Sequence, residues 1–145
     1  MEPNMIQSVT LHNYGPIHNL AWNDIGSINV VIAPNALGKT FLLKALYTAI
    51  RSIEMYRRGD EPDSLNTILA QKLYWTFQCD KIGDLVTKGA SSPLSFSMKS
   101  DEHTISYRFS NSTTRKVVDL ENSIEPRAGN SIFLPPREVF SQQNI

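Results

Sequence analysis

The sequence predicts an α/β fold with α+β character, in which a strand–loop–helix core carries an antiparallel β subdomain. Three observations support this prediction. An apolar, β-branched run over residues 28–32 leads through a short loop into a segment with helical periodicity. Two strand-like segments joined by a short turn precede this run. Residues 94–109 alternate between apolar and polar side chains, as the strands of a hairpin do.

Composition places the chain among folded globular proteins. Apolar residues make up 41% and charged residues 19% of its 145 residues, and the formal net charge is zero, so overall charge gives no argument for nucleic-acid binding. The single cysteine, Cys79, excludes an internal disulfide. No apolar run approaches the roughly 20 residues that span a bilayer, and the amino end lacks the pattern of a signal peptide. We therefore expect a cytoplasmic protein without a membrane partner.

The chain is interpreted as one partial domain in three parts. Residues 5–58 contain two strands, the central run, its loop and the first helix. Residues 59–93 contain a second helix and an irregular connection, which we expect to be mobile. Residues 94–145 contain antiparallel strands and a late strand over 131–134 that ends at two prolines, since proline cannot donate to a strand ladder.

In the first part, alternation predicts a half-buried strand over 5–12, and residues 17–22 form its antiparallel partner across a turn at 13–16. The first helix is predicted from Lys39 to about Tyr56. Its apolar face consists of Leu42, Leu43, Leu46, Ala49, Ile50 and Ile53. Three arginines in its later turns are interpreted as solvated charges that offset the helix dipole rather than as DNA contacts. These arginines are Arg51, Arg57 and Arg58.

The second helix is expected to start at Asp63 or Ser64 as its cap. Its apolar side carries Leu65, Ile68, Leu69, Leu73 and Phe77. Tyr74 and Trp75 could stack on a base, but an aromatic pair beside leucines at helical spacing favours a place in the core. Beyond this helix, residues 94–98 and 105–109 are predicted strands around a turn at 99–102, and residues 116–120 a shorter strand.

The loop between the central run and the first helix has the features of a phosphate-binding loop. Backbone N–H groups and the positive end of a helix dipole attract a triphosphate, and Gly38 allows close approach of the backbone. Lys39 can reach the β- and γ-phosphates, and the Thr40 hydroxyl can bind Mg²⁺. The pattern Gly-x-x-x-x-Gly-Lys-[Ser/Thr] is met except that Ala33 replaces the first glycine, which costs about 1 kcal/mol if this position needs positive φ and almost nothing otherwise. The predicted nucleotide-binding residues are Ala33, Pro34, Asn35, Ala36, Leu37, Gly38, Lys39, Thr40 and Phe41.

These segments together resemble the amino-terminal lobe of ABC-type head ATPases. That group includes chromosome-maintenance, recombinational-repair and overcoming-lysogenization-defect (OLD)-like ATPases and related phage-defence ATPases. The resemblance is carried by Val9-Thr10-Leu11-His12-Asn13-Tyr14-Gly15-Pro16-Ile17, by residues 28–40 and by Leu42-Leu43-Lys44-Ala45-Leu46. The late segment 132–138, Ile-Phe-Leu-Pro-Pro-Arg-Glu, is similar to a strand end in the defence-associated branch.

The resemblance implies ATP and Mg²⁺ as cofactors and a head-to-head homodimer in which a signature motif of one head closes on the nucleotide of the other. It also implies a later strand ending in Asp-Glu that binds Mg²⁺ and activates water. Neither an LSGG-like segment nor such a strand occurs in the sequence, since the Asp-Glu pairs at 101–102 and 60–61 do not follow a buried strand. We therefore expect no catalytic residue within these 145 residues.

Two further positions follow from the same resemblance. A glutamine that contacts the nucleotide through Mg²⁺ should follow the late strand, where Gln142 and Gln143 are candidates. Several relatives have a basic residue at the position held by Gly15, so this nucleotide contact is in doubt here. The histidines and Cys79 lack the spacing of metal ligands.

Three functions remain open. The first is an ATP-binding amino lobe of a DNA-associated or phage-defence ATPase, truncated before its Walker B and signature motifs, whose partners are the carboxyl-terminal lobe, a second head and, through missing parts, nucleic acid or an effector protein. The complete protein would hydrolyse ATP, and these 145 residues alone would not. The second is a non-catalytic regulatory or interaction module that retains the fold. The third, a P-loop kinase or small GTPase, fits less well because those folds alternate parallel strands with helices.

Overall fold

Two helices and a five-stranded sheet make up the fold of this chain. The structure, a computed structural model, describes residues 6–32, 36–126 and 129–134. In chain order the elements are β1 (Ile6–Tyr14), β2 (Ile17–Trp22), α1 (Ala36–Met55), α2 (Leu65–Phe77), a 3₁₀ helix (Ile82–Leu85), β3 (Leu94–Ser100), β4 (His103–Phe109) and β5 (Asp119–Asn122). Strands lie in the order β2-β1-β3-β4-β5, and each neighbouring pair is antiparallel. The fold is thus mixed α+β, as the sequence predicts in its coarse form.

The first hairpin confirms the prediction of two antiparallel strands. Val9 and Leu11 are fully buried whereas Thr10 between them is exposed, which is the alternation of a half-buried strand. Strand β1 continues to Tyr14, which pairs with Ile17, so the predicted turn at 13–16 is shorter than expected. Its extension has a physical reason, because Tyr14 also forms a bridge with Val86 on the other side.

Both predicted helices are present. Helix α1 begins at Ala36, three residues before the predicted Lys39, and its buried face carries Leu42, Ala45, Ala49 and Ile53. Leu43 was assigned to this apolar face, but it is 38% exposed. Helix α2 is capped by Ser64, whose hydroxyl accepts a hydrogen bond from the N–H of Thr67 (3.3 Å). Leu65, Ile68, Leu69 and Leu73 are buried as predicted.

The second hairpin also agrees with the sequence pattern, with β3 and β4 joined at a tight turn whose residue Asp101 has φ 55°. Strand β5 starts at Asp119 instead of residue 116. Val117 is buried, but its carbonyl accepts a hydrogen bond from Asn66 Nδ2 of α2 (2.7 Å). The bond ties Val117 to α2, and the pairing of β4 with β5 begins only at Asp119.

The connection between α2 and β3 contains one regular element that was not predicted, a 3₁₀ helix at Ile82–Leu85, while residues 87–93 lack regular secondary structure, as predicted. Ile82 and Leu85 of its 3₁₀ helix are buried in the core. Backbone hydrogen bonds hold it on both sides, since the N–H of Gly15 donates to Leu85 O (2.6 Å) and the N–H of Ile82 to Thr114 O (3.0 Å). Burial of two apolar side chains and these bonds give the segment a defined place beside β1.

Two segments predicted as buried strands are extended backbone outside the sheet. Neither residues 28–32 nor 131–134 are assigned to any strand. Their outward apolar side chains are largely exposed: Ile28 89%, Val30 81%, Ile32 89%, Ile132 75% and Leu134 78%. A strand requires a hydrogen-bonded neighbour, and no such ladder reaches these segments in the described part of the chain.

Helix α2 differs from its prediction at one aromatic residue. Tyr74 packs partly against the core, but Trp75 is 72% exposed. Its placement in the core was therefore wrong, because the face of α2 that carries it has no neighbouring layer in the described structure. Within the described residues, neither helix has both the length and the apolar character needed to cross a bilayer.

Candidate functional site

The amino-terminal end of α1 carries the predicted phosphate-binding residues. Gly38, Lys39 and Thr40 lie in its first turns and are partly accessible, and Leu37 beside them is 57% exposed. The first turn of α1 contains no acidic residue that would compensate the positive end of the helix dipole. This end of the helix is therefore electrostatically suited to an anion, with an ammonium group and a hydroxyl in adjacent positions.

Of the other predicted ligands, some belong to the described residues and others do not. Ala36 is the first residue of α1. Ala33, Pro34 and Asn35, which form the first half of the predicted loop, lie outside the described residues, and so do Gln142 and Gln143. The structure thus brings together the second half of the motif, from Gly38 to Phe41.

Phe41 fixes the start of α1 against the turn between β1 and β2. Its ring packs on Phe77 of α2, with the centroids 5.0 Å apart, and lies directly over the Cα of Gly15. A Cβ at Gly15 would overlap three atoms of the Phe41 ring, and the φ of +57° already favours glycine. Only a residue without a side chain fits between the strand turn and the helix.

This packing bears on the basic residue that resembling ATPases place at the position of Gly15. The Phe41 ring occupies the space into which such a side chain would extend from the backbone. A basic side chain at this position would require the Phe41 ring to move, and Gly15 itself offers no side chain for a nucleotide contact.

At the far end of α1, a buried carboxylate holds the segment 129–134. Glu54 is only 2% exposed and accepts hydrogen bonds from the Ser131 N–H (2.8 Å), the Ser131 hydroxyl (2.7 Å) and Arg51 Nη1 (3.3 Å). Desolvation alone would raise the pKa of this carboxyl, but the hydrogen bonds from Ser131 and the Arg51 charge outweigh it and lower the pKa. Glu54 therefore stays ionised and ties this segment to the helix.

Arg51 of α1 and Arg58, three residues after the end of the helix, contribute to the same attachment. Arg58 Nη1 donates to the Gly129 carbonyl and to Asn130 Oδ1, each at 2.9 Å, and Arg51 pairs with Glu54. Arg57 lies over the Tyr56 ring, 4.9 Å from its centroid. Arg58 is exposed, as the interpretation of solvated charges requires, but Arg51 and Arg58 also donate to Asn130, a long-range contact that the sequence did not predict.

The segments 28–32 and 131–134 each contact the core through one side chain whose neighbours on both sides are exposed. Val31 packs against the core, and the Phe133 ring contacts Tyr47 of α1 at a centroid distance of 6.0 Å. The residues on either side of them, Ile32 and Ile132 among them, point away and are exposed. Segment 131–134 thus has the alternation of a strand, whereas in segment 28–32 only Val31 is partly buried and its neighbours on both sides are exposed.

The described residues contain no cluster of three or more His, Cys, Asp or Glu side chains that could hold a metal ion. His12 contacts Asn19 Oδ1 (2.6 Å) and Ser92 Oγ (3.2 Å). Asp101 and Glu102 form the exposed β3–β4 turn. Thr40 is consequently the one residue of the predicted Mg²⁺ ligands that the structure describes, and the metal would reach it with the nucleotide.

Comparison with known proteins adds no relative to this description. Neither the family models nor the curated proteins contain a match to this sequence. The functional argument therefore depends on the residues and the geometry of the chain itself.

Proposed function

We propose that this chain is the ATP-binding amino-terminal lobe of an ABC-type P-loop ATPase that acts in the cytoplasm, in a DNA-associated or phage-defence system. ATP and Mg²⁺ are its cofactors in this proposal, with residues 33–41 around the phosphates. The catalytic carboxylates and the signature motif come from a carboxyl-terminal lobe and from a second head in a homodimer. ATP hydrolysis then belongs to the assembled protein.

The observation that carries this proposal is the position of Gly38-Lys39-Thr40 at the start of a long helix. Helix α1 has 20 residues, and the motif occupies its amino-terminal end, directly after an extended β-branched segment. An ammonium and a hydroxyl on adjacent residues occur there at a helix end without acidic compensation of its dipole, which are the groups that triphosphate binding requires. A chance Gly-Lys-Thr in a surface turn would have no reason to coincide with such a helix.

The open apolar faces of segments 28–32 and 131–134 support the presence of further strands in the assembled protein. Parallel strands of α/β proteins are apolar on both faces because both are buried. Here Val31 and Phe133 pack inward, while neighbouring aliphatic side chains of both segments are 75% to 89% accessible. In the proposal, the carboxyl-terminal lobe pairs with these segments and buries them.

One observation favours a second candidate, a regulatory or interaction module that keeps the fold without binding nucleotide. The Phe41 ring over Gly15 excludes the basic residue that several resembling ATPases use at this position. If that cation is essential for affinity, the loop alone binds ATP weakly. The two candidates differ in a direct binding measurement.

Isothermal titration calorimetry with ATP, with and without Mg²⁺, separates the roles of two adjacent residues. Lys39→Ala should weaken ATP binding roughly ten- to a hundredfold in either condition, because a charge-assisted contact is worth about 1.5–3 kcal/mol. Thr40→Ala should weaken binding chiefly when Mg²⁺ is present, because its hydroxyl binds the metal and not the phosphate.

Lys99→Ala serves as the matched control, since Lys99 is an exposed lysine of β3. It should bind ATP as the wild type does, and all three variants should unfold at nearly the wild-type temperature without ligand. Absence of ATP binding by the wild type, with the carboxyl-terminal lobe supplied, would favour the regulatory module. Equal losses for Lys39→Ala and Lys99→Ala would refute the phosphate-binding role.

A further inference from the structure

An aromatic and cationic groove lies on α2, on the surface that includes the exposed Trp75. The groove has a volume of about 600 Å³ and is lined by Tyr74, Trp75, Arg115 and Lys116 with polar neighbours on α2. The Tyr74 and Trp75 rings meet edge to face, with centroids 5.2 Å apart and an interplanar angle of 89°. The indole is 72% exposed and has a ring face available to a partner.

The cations of this groove come from the loop before β5. The Arg115 guanidinium lies over the Tyr74 ring, 5.2 Å from its centroid, which holds the arginine at the groove while leaving its charge accessible. Lys116 follows it and is exposed. Among the residues that the structure describes, no acidic side chain lines the groove. Asp119 is the next acidic residue after Lys116 in the sequence, and its carboxylate accepts a hydrogen bond from Arg108 Nε (2.6 Å).

We infer that this groove binds single-stranded nucleic acid, with an unpaired base stacked on Trp75 and backbone phosphates at Arg115 and Lys116. An aromatic platform beside cations is the combination by which proteins bind single strands without reading their sequence. Every base presents a flat face to the indole, and the two cations replace counterions at adjacent phosphates. This inference does not depend on nucleotide binding at α1.

The geometry favours a single strand over a duplex, because the bases of a duplex are already stacked on one another and cannot reach the indole. It also distinguishes this groove from the other arginine–aromatic contact of the chain, at Tyr56 and Arg57. The groove at Tyr56 is lined in addition by Glu125, which repels phosphates. The α2 groove therefore combines an exposed ring with uncompensated positive charge, and the Tyr56 groove serves as an internal comparison.

The test uses fluorescence anisotropy with a labelled oligothymidylate of about 16 nucleotides, the upper end of the site size of small single-strand-binding domains. Trp75→Ala should weaken binding roughly five- to a hundredfold, the range found when one stacking residue is removed. Arg115→Ala should weaken binding and reduce the slope of log K against log salt by roughly 0.7, the value for one phosphate contact on a single strand. Arg57→Ala, the matched control, should leave affinity and slope unchanged.

A second measurement reports on stacking itself. The chain has two tryptophans, Trp22 and Trp75, so Trp22→Phe leaves Trp75 as the sole tryptophan. Its selectively excited emission should be quenched as the oligonucleotide binds. A duplex of the same length should bind more weakly and quench little. The inference is overturned if Trp75→Ala binds the single strand as tightly as the wild type, or if Trp75 emission does not change at saturation. It is equally overturned if the oligonucleotide fails to bind at low salt; self-association that Trp75→Ala abolishes would then identify the groove as a protein contact.

Discussion

Glu54→Gln tests whether a single buried carboxylate holds the segment 129–134 on helix α1. The wild-type carboxylate accepts three hydrogen bonds, two of them from Ser131. Hydrogen bonds to a charged acceptor contribute about 1.5–3 kcal/mol each and those to a neutral one about 0.5–1.5 kcal/mol. Glutamine keeps the shape and one oxygen, and relief of carboxylate desolvation offsets part of the loss. We expect the free energy of unfolding to fall by about 1–3 kcal/mol at neutral pH, measured by urea denaturation.

The same variant should change the pH dependence of stability. Because the folded-state pKa of Glu54 lies below the ordinary value of 4.5, the unfolded chain binds more protons between the two values. The contribution of Glu54 is therefore fully present above the ordinary pKa and is lost as pH falls through the folded-state value. The difference in unfolding free energy between wild type and Glu54→Gln should shrink as the pH is lowered from about 7 to about 3.

Two further variants test the same contact, one by displacing the carboxylate of Glu54 and one as a control. Gly129→Ala should destabilise in the same way, because its Cβ would lie 2.8 Å from Glu54 Oε2 and displace the carboxylate from Ser131. Glu102→Gln, in the exposed β3–β4 turn, is the matched control and should change stability by less than about 0.5 kcal/mol. The reasoning fails if Glu54→Gln and Glu102→Gln have equal stability, or if the pH-dependent difference stays constant.

Two other predictions concern packing beside the candidate site. Gly15→Ala should destabilise the fold more than Gly59→Ala, because both glycines have positive φ but only at Gly15 would the new Cβ meet the Phe41 ring. The backbone conformation alone should cost each variant about 1 kcal/mol. A similar thermal midpoint for both variants would contradict the packing argument. Tyr14→Phe should cost about 1–3 kcal/mol, since it leaves the buried Tyr107 hydroxyl without its 2.7 Å partner. Tyr107→Phe should cost less, because the Tyr14 hydroxyl keeps its hydrogen bond with Thr48. The double variant should be less destabilised than the sum of the two, and strict additivity in urea denaturation would show that the hydroxyls are not coupled.

Local patterns in the sequence determined most of the regular elements. Alternation over β1, β3 and β4 and the helical spacing of α1 and α2 are properties of ten to twenty residues, because an element that buries one face imposes its own period on the chain. The Ser64 cap could be predicted for the same reason, since its bond to Thr67 spans three residues. Gly38-Lys39-Thr40 is also a local pattern, and its place at a helix start follows from the apolar spacing behind it.

Tertiary structure decided which apolar residues have partners. Residues 28–32 and 131–134 have the composition of buried strands, yet burial depends on a neighbouring layer that composition does not encode. Trp75 has the spacing of a core residue, but it is 72% exposed because no described part of the chain packs as a layer on its side of α2. Glu54 was missed because its partner Ser131 is 77 residues away; a lone glutamate amid the buried face of α1 is a weak signal for such a contact. The closeness of Gly15 to Phe41 likewise arises only when β1 and α1 pack, so long-range contacts, and not local periodicity, decide the surroundings of the candidate site.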